Sequence, residues 1–123
     1  MLRESTKWYL FLLAGLVLLI TLGIHYGVMH LGGLFGAPRS ETLTFASVSA
    51  RSGRIFYMTV YLILLAAALY HGLYGLRAVV YEISALPWGV RQAAGKAIAA
   101  AGFVFFIYGS WAIITGFLAQ RGM

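Results

Sequence analysis

Three long apolar runs separated by two polar stretches organise the chain. The first extends from Trp8 to about Leu31 and is interrupted only by His25 and His30. The second extends from Ile55 to Leu76, broken only by His71, and continues past Arg77 towards Ser84. The third, Ala97 to Ala119, carries no charge. A helix needs about 20 apolar residues to cross the hydrocarbon core, and each run supplies them. The runs are apolar all round, which excludes an amphipathic surface helix. The first is too long for the core of a signal peptide, and no small-residue cleavage motif follows it. The pattern predicts an all-α integral membrane protein, one membrane domain over residues 1–123, with transmembrane helices at about 8–31, 55–83 and 95–119.

The linkers follow by subtraction. Residues 32–54 are rich in Gly, Ser and Thr and carry Pro38, Arg39, Arg51 and Arg54; a short interfacial helix is expected around Leu43 to Ala50. The second linker, about Ser84 to Lys96, holds Pro87, Trp88 and Arg91. Three crossings put the termini on opposite sides. Arg3, Lys7, Arg77, Arg91 and Lys96 fall on the N-terminal side, against Arg39, Arg51, Arg54 and Arg121 on the other. The small excess favours a cytoplasmic N-terminus.

Composition narrows the chemistry. Of 123 residues, 62% are hydrophobic and 10% charged, against about 25% charged in an ordinary soluble domain, so a free soluble domain is excluded. There is no cysteine, hence no disulfide, thiolate metal site, cysteine-held cluster or cysteine nucleophile. The only acids are Glu4, Glu41 and Glu82, which excludes a carboxylate-rich Mg²⁺ or Ca²⁺ site within the chain. The net charge of +6 is divided between two membrane faces, where it meets headgroups. Nucleic-acid binding calls for a clustered basic stripe instead.

Ionisable groups inside the spans are the candidates for function. His71 lies seventeen residues after Arg54 and six before Arg77, about 26 Å from one charged end and about 9 Å from the other. Ala67, Gly75, Ala78 and Glu82 share its helix face. A flat macrocycle fits edge-on against so small a face, with the imidazole on its iron; the alternative is a histidine hydrogen-bonded to a closely packed helix. His25 lies about 27 Å along the first helix from Lys7, in the opposite leaflet. Thr21, Leu22, Val28 and Met29 surround it, and the same two readings stand. His30 is interfacial, at the level of a heme propionate or the surface. His25 and His71 differ in depth by about 18 Å and cannot ligate one iron, so each needs a second ligand from another polypeptide.

Gly95, Gly102, Gly109 and Gly116 recur every seven residues on the third span, a packing groove for another transmembrane helix or a flat ligand. Arg77, Tyr81, Glu82 and Trp88 cluster at the N-side end of the second span. They anchor the helix at the interface, or form a quinone headgroup site beside an apolar tail channel.

The stretch Tyr70-His71-Gly72-Leu73-Tyr74-Gly75-Leu76-Arg77 through Glu82 resembles the second helix of succinate dehydrogenase and fumarate reductase membrane anchors. The shared pattern is a histidine, a glycine four residues on, Leu-Arg, and an acid eleven residues after the histidine, with Glu82 where Asp is commoner. Gly15-Leu16 followed by His25 resembles the first helix of diheme anchors. The family's Arg-x-Ser/Thr-Gly signature before that glycine is replaced here by Leu12-Leu13-Ala14-Gly15. The resemblance implies half of a heme-binding bundle, completed by a second membrane anchor subunit. It implies heme b, one or two, with His71 and His25 as axial ligands, His30 and Arg77 near propionates or the surface, and a ubiquinone or menaquinone site at Arg77, Tyr81, Glu82 and Trp88. It also implies a flavoprotein and an iron–sulfur subunit as partners, a multi-pass position in the inner cytoplasmic membrane, and electron transfer from succinate to quinone with no succinate chemistry in this chain. Two other readings remain: a heme-free packing or assembly subunit, and a small oligomeric proton-coupled transporter using Glu82 or the histidines.

Overall fold

The computed structural model describes residues 3–31, 41 and 43–122. Those residues form helices and turns with no strand. Helix α1 spans Glu4–His30, α2 Phe45–Ser52, α3 Ile55–Glu82 and α4 Trp88–Arg121. The helices α1, α3 and α4 are each long and apolar enough to cross a membrane. Pro38 and Arg39, named above in the first linker, lie outside the described residues.

The helix that contains the expected third span extends beyond it at the N-terminal end. Helix α4 begins at Trp88 rather than near residue 95, and the second linker shrinks to residues 83–87. The cause is local and polar. Pro87 cannot donate a hydrogen bond and suits the entry to a helix; its carbonyl accepts from the N–H groups of Val90 at 3.0 Å and Arg91 at 3.2 Å. The Arg91 guanidinium then reaches back across the turn. Its Nε donates to the Leu86 carbonyl at 2.8 Å, Nη1 to Tyr81 at 3.1 Å and Nη2 to Ser84 at 3.0 Å. Nine residues of α4 therefore lie before its charge-free run, where hydropathy gives no helical signal. The interfacial helix also shifts, from the expected 43–50 to 45–52, because Thr44 caps it by accepting from the Ser47 N–H at 3.2 Å. At the far end of α4, Gly122 takes the left-handed conformation at φ 70° and closes the helix with a bond to the Leu118 carbonyl.

Helix α3 stands in the middle, with α1 on one side and α4 on the other; α1 and α4 do not touch. The glycine stripe of α4 receives side chains of α3. A methyl group added at Gly102 would lie 2.5 Å from Leu73 Cδ1, at Gly109 2.8 Å from Leu65 Cδ2, and at Gly95 2.9 Å from the Tyr81 hydroxyl. The helix that fills this groove is thus the chain's own α3, and only Gly116 of the four faces open space. Across the other interface, Gly15 faces His71 and Gly75 faces Phe11. The Tyr70 hydroxyl donates to the Lys7 carbonyl at 3.0 Å. Helix α2 rests on α3 and α4.

Little of the chain is buried by itself. Among the described residues only Thr21, Val60, Ala67, Gly95 and Phe117 count as buried, and large apolar side chains such as Leu19 and Phe103 stand outside. Such a surface is stable against lipid tails and other transmembrane helices, not against water. Polar side chains within the spans turn inward on their own backbone: Thr21 Oγ1 donates to the Val17 carbonyl at 2.8 Å and Thr115 Oγ1 to that of Trp111 at 2.8 Å.

Candidate functional site

The His71 imidazole is held by two residues of α1, Phe11 and Gly15. One face stacks on the Phe11 ring, with centroids 4.3 Å apart and planes 5° from parallel. Gly15 lies against the Cε1–Nδ1 edge, where an added Cβ would sit 2.9 Å from Cε1 and 3.0 Å from Nδ1. Nδ1 lies 3.1 Å from the Phe11 carbonyl oxygen. A carbonyl can only accept, so Nδ1 carries a proton, and in the neutral ring the lone pair is on Nε2. That is the tautomer of a metal-bound imidazole whose other nitrogen is oriented by a backbone carbonyl.

The small face around His71 is not an open groove. Ala67 is buried and Gly75 meets the Phe11 ring at 3.5 Å. The small residues of this face make room for α1.

His25 lies on α1 in a different setting. Its ring meets Tyr61 of α3 edge-on, with centroids 5.5 Å apart. Its Nδ1 is shielded and has no hydrogen-bond partner among the described residues. Close by in sequence, Met29 Sδ lies 3.4 Å from Arg51 Nη2, which reaches in from α2. The His30 ring packs on Tyr26 at 4.7 Å. Because His71 sits level with Gly15, ten residues before His25, the two imidazoles stand about 15 Å apart along α1.

At the end of the molecule nearer His71, the remaining candidates come together. The Arg77 guanidinium lies over the Tyr81 ring, 4.7 Å from its centroid. Trp88 meets the same ring edge-on at 5.7 Å. Gly95 leaves space for the Tyr81 hydroxyl. Arg77, Tyr81 and Glu82 line an open cavity of about 420 Å³ together with Glu4, Tyr74 and Ala78. A second, apolar groove of about 470 Å³ runs between α3 and α4, lined among others by Leu69, Leu73, Ala99, Gly102 and Phe106. Tyr74 and Arg77 border both spaces. Trp88 is no wall of either cavity; it braces Tyr81 from outside.

Several contributors escape sequence reasoning. Tyr74 shares a face with Ala78 and Tyr81 at helical spacing, a signal that was present. Glu4 arrives from another helix, paired with Lys7 at 2.6 Å, and nothing in its neighbourhood announces this. Phe11 and Gly15, the seat of His71, read as ordinary residues of an apolar span.

The donor chemistry fits a heme ligand at His71, with one imidazole offered and its proton anchored. Among the described residues no three or more His, Cys, Asp or Glu side chains gather as a metal-binding group, and an axial ligand shared between two chains needs none. No family model matches this chain, and neither a curated protein nor a solved structure is detectably similar to it.

Proposed function

We propose that this chain is a membrane anchor of a succinate:quinone oxidoreductase, helping to form the quinone site and sharing heme b with a second anchor subunit. The observation that carries the reading is the pair of adjoining spaces at Arg77. A polar cavity lined by Arg77, Tyr81, Glu82 and Glu4 opens beside an apolar groove between α3 and α4. A quinone has this dual nature, a polar ring on a long apolar tail, and both volumes fall in the range of small-molecule sites. Arg77 is a donor for a quinone carbonyl. Glu82, exposed at the end of α3, is placed to pass protons from the surface as two electrons and two protons convert quinone to quinol.

The tautomer of His71 supports ligation. Its Nδ1–H is committed to the Phe11 carbonyl and Nε2 is left as the donor atom. Bound heme b supplies a one-electron carrier whose potential is set by its ligands and their surroundings. His25, with an unpartnered Nδ1, is the second candidate ligand. The separation of the two histidines along α1 makes each dependent on an imidazole from elsewhere. The flavoprotein and iron–sulfur partners, and the cytoplasmic side for the Arg77 end, belong to the same proposal.

One observation favours a second reading. The imidazole of His71 is packed closely against Phe11 and Gly15, as a purely structural histidine would be in a heme-free membrane subunit.

The test is a reduced-minus-oxidised optical spectrum of the natively purified complex, beside His71→Ala. A b-type spectrum that loses one heme in the variant supports ligation. An unchanged spectrum in an assembled variant complex overturns it. Absence of heme from the wild-type complex favours the second reading.

A further inference from the structure

Three tyrosines and one arginine share a face towards the end of α3. Tyr70, Tyr74, Arg77 and Tyr81 fall at i, i+4, i+7 and i+11. The chain itself engages two of the three hydroxyls. That of Tyr70 donates to the Lys7 carbonyl at 3.0 Å. That of Tyr81 is packed against Gly95, where an added Cβ would lie 2.9 Å from it. The Tyr74 hydroxyl has no hydrogen-bond partner among the described residues. Its ring, by contrast, is held. It stacks with Tyr70, centroids 5.9 Å apart and planes 20° from parallel, and leans on Phe11 of α1 at 5.3 Å. Tyr74 is half-buried. With Arg77 it is one of two residues that line both the polar cavity and the apolar groove.

A tyrosine of the membrane interface needs only water for its hydroxyl, and that is the plain role for Tyr74. Its position asks for more. A ring clamped between two others, with its hydroxyl uncommitted where headgroup space meets tail groove, is a preorganised contact. No internal bond has to break before a ligand is met.

We infer that Tyr74 is a substrate-binding residue of the quinone site and holds a ring oxygen of quinone and quinol alike. The inference rests on the quinone reading above and adds a division of labour to it. Arg77 carries only donors. It serves a quinone carbonyl, which only accepts. Reduction turns that carbonyl into a hydroxyl, which brings an O–H that a guanidinium cannot receive. A phenol both donates and accepts. Tyr74 therefore donates to the carbonyl of the quinone and accepts from the O–H of the quinol, by rotation of its own hydroxyl and with no proton changing hands. The carboxylates of the cavity are less well placed for this. Glu4 is paired with Lys7 at 2.6 Å, and Glu82 lies eight residues, about 12 Å, further along α3.

The natively purified complex tests the contact, with succinate as electron donor. Wild type, Tyr74→Phe and Arg77→Gln would be assayed with whichever short-tailed quinone the wild type reduces faster, a benzoquinone or a naphthoquinone. The corresponding quinol would be added as product inhibitor. Phenylalanine keeps the ring contacts with Phe11 and Tyr70, so a merely structural Tyr74 leaves every constant unchanged. Tyr74→Phe should raise both KM for the quinone and the inhibition constant of the quinol about three- to tenfold, the weight of one neutral hydrogen bond, with kcat little changed. Arg77→Gln should raise KM more than the quinol constant. Unchanged constants in Tyr74→Phe beside an impaired Arg77→Gln overturn the role of Tyr74 and leave the quinone reading standing. A rise in KM without a rise in the quinol constant overturns the contact to both forms. Unchanged constants in both variants, or a wild-type complex that reduces neither quinone, overturn the reading and the inference together.

Discussion

The ring of Phe11 carries the imidazole of His71 on its face at 4.3 Å, and the carbonyl of the same residue takes the imidazole proton at 3.1 Å. One residue of α1 therefore sets the plane of the histidine and also which of its nitrogens keeps a lone pair. Gly15 completes the seat at the Cε1–Nδ1 edge. Placement of His71 on α3 is thus controlled by α1.

Gly15→Ala tests that seat. The new methyl would arrive 2.9 Å from Cε1, so the imidazole or the helix must move, at a cost of about 1–3 kcal/mol. Gly27→Ala, with nothing within 4 Å, is the matched control and should be neutral or better. Unfolding in mixed micelles would read the difference. If heme is bound, its midpoint potential should shift in Gly15→Ala alone.

The α3–α4 interface makes a graded prediction. Gly102→Val meets Leu73 at once, whereas Gly116→Val enters open space. The first should lose about 1–3 kcal/mol of stability and the second little. Equal losses at the two positions would show that the glycines act through helix propensity and not through packing.

Arg91→Ala leaves three carbonyls of the α3–α4 turn without their shared donor. Bonds from a charged group contribute about 1.5–3 kcal/mol in protein interiors, and part of this site is exposed, so about 1–2 kcal/mol is expected. Lysine should recover less than half, because a single ammonium cannot span the fork. Thermal unfolding of the full chain in detergent would measure both.

Arg77→Gln and Glu82→Gln separate binding from proton delivery at the proposed quinone site. The first removes the carbonyl donor and should raise KM for quinone about tenfold or more, corresponding to a charge-assisted bond of about 1.4 kcal/mol. The second should lower kcat with little change in KM. Steady-state quinone reduction by the assembled complex distinguishes them, and unchanged kinetics in both variants would remove this end of α3 from the reaction.

The three spanning helices were legible because about 20 apolar residues in a row leave few alternatives in membrane or water. The seat of His71 was not. Sequence placed Ala67 and Gly75 on its face correctly, but a small face receives a helix as readily as a cofactor, and only the approach of Phe11 decides between them. The glycine stripe of α4 was legible as a close-packing surface, whereas its occupant was not, since Leu65 and Leu73 look like any other apolar positions of α3 and nothing in the sequence aims Tyr81 at Gly95. The early start of α4 depends on Arg91 bridging backwards to carbonyls, a tertiary fact invisible to hydropathy. The clustering of Arg77, Tyr81 and Glu82 followed from helical spacing; the arrival of Glu4 beside them required the pairing of α1 with α3.

The placement of α3 between two helices that never meet has a mechanical consequence. At the level of His71, away from the α2 end where Arg51 reaches Met29, a displacement passed between α1 and α4 runs through α3. A roll or tilt of α3 moves His71 against its seat at Gly15 and, in the same motion, reshapes the groove where Arg77 and Leu73 face α4. Occupancy of that groove and the set of the imidazole are then linked as two ends of one lever, and each must bias the other by the same free energy.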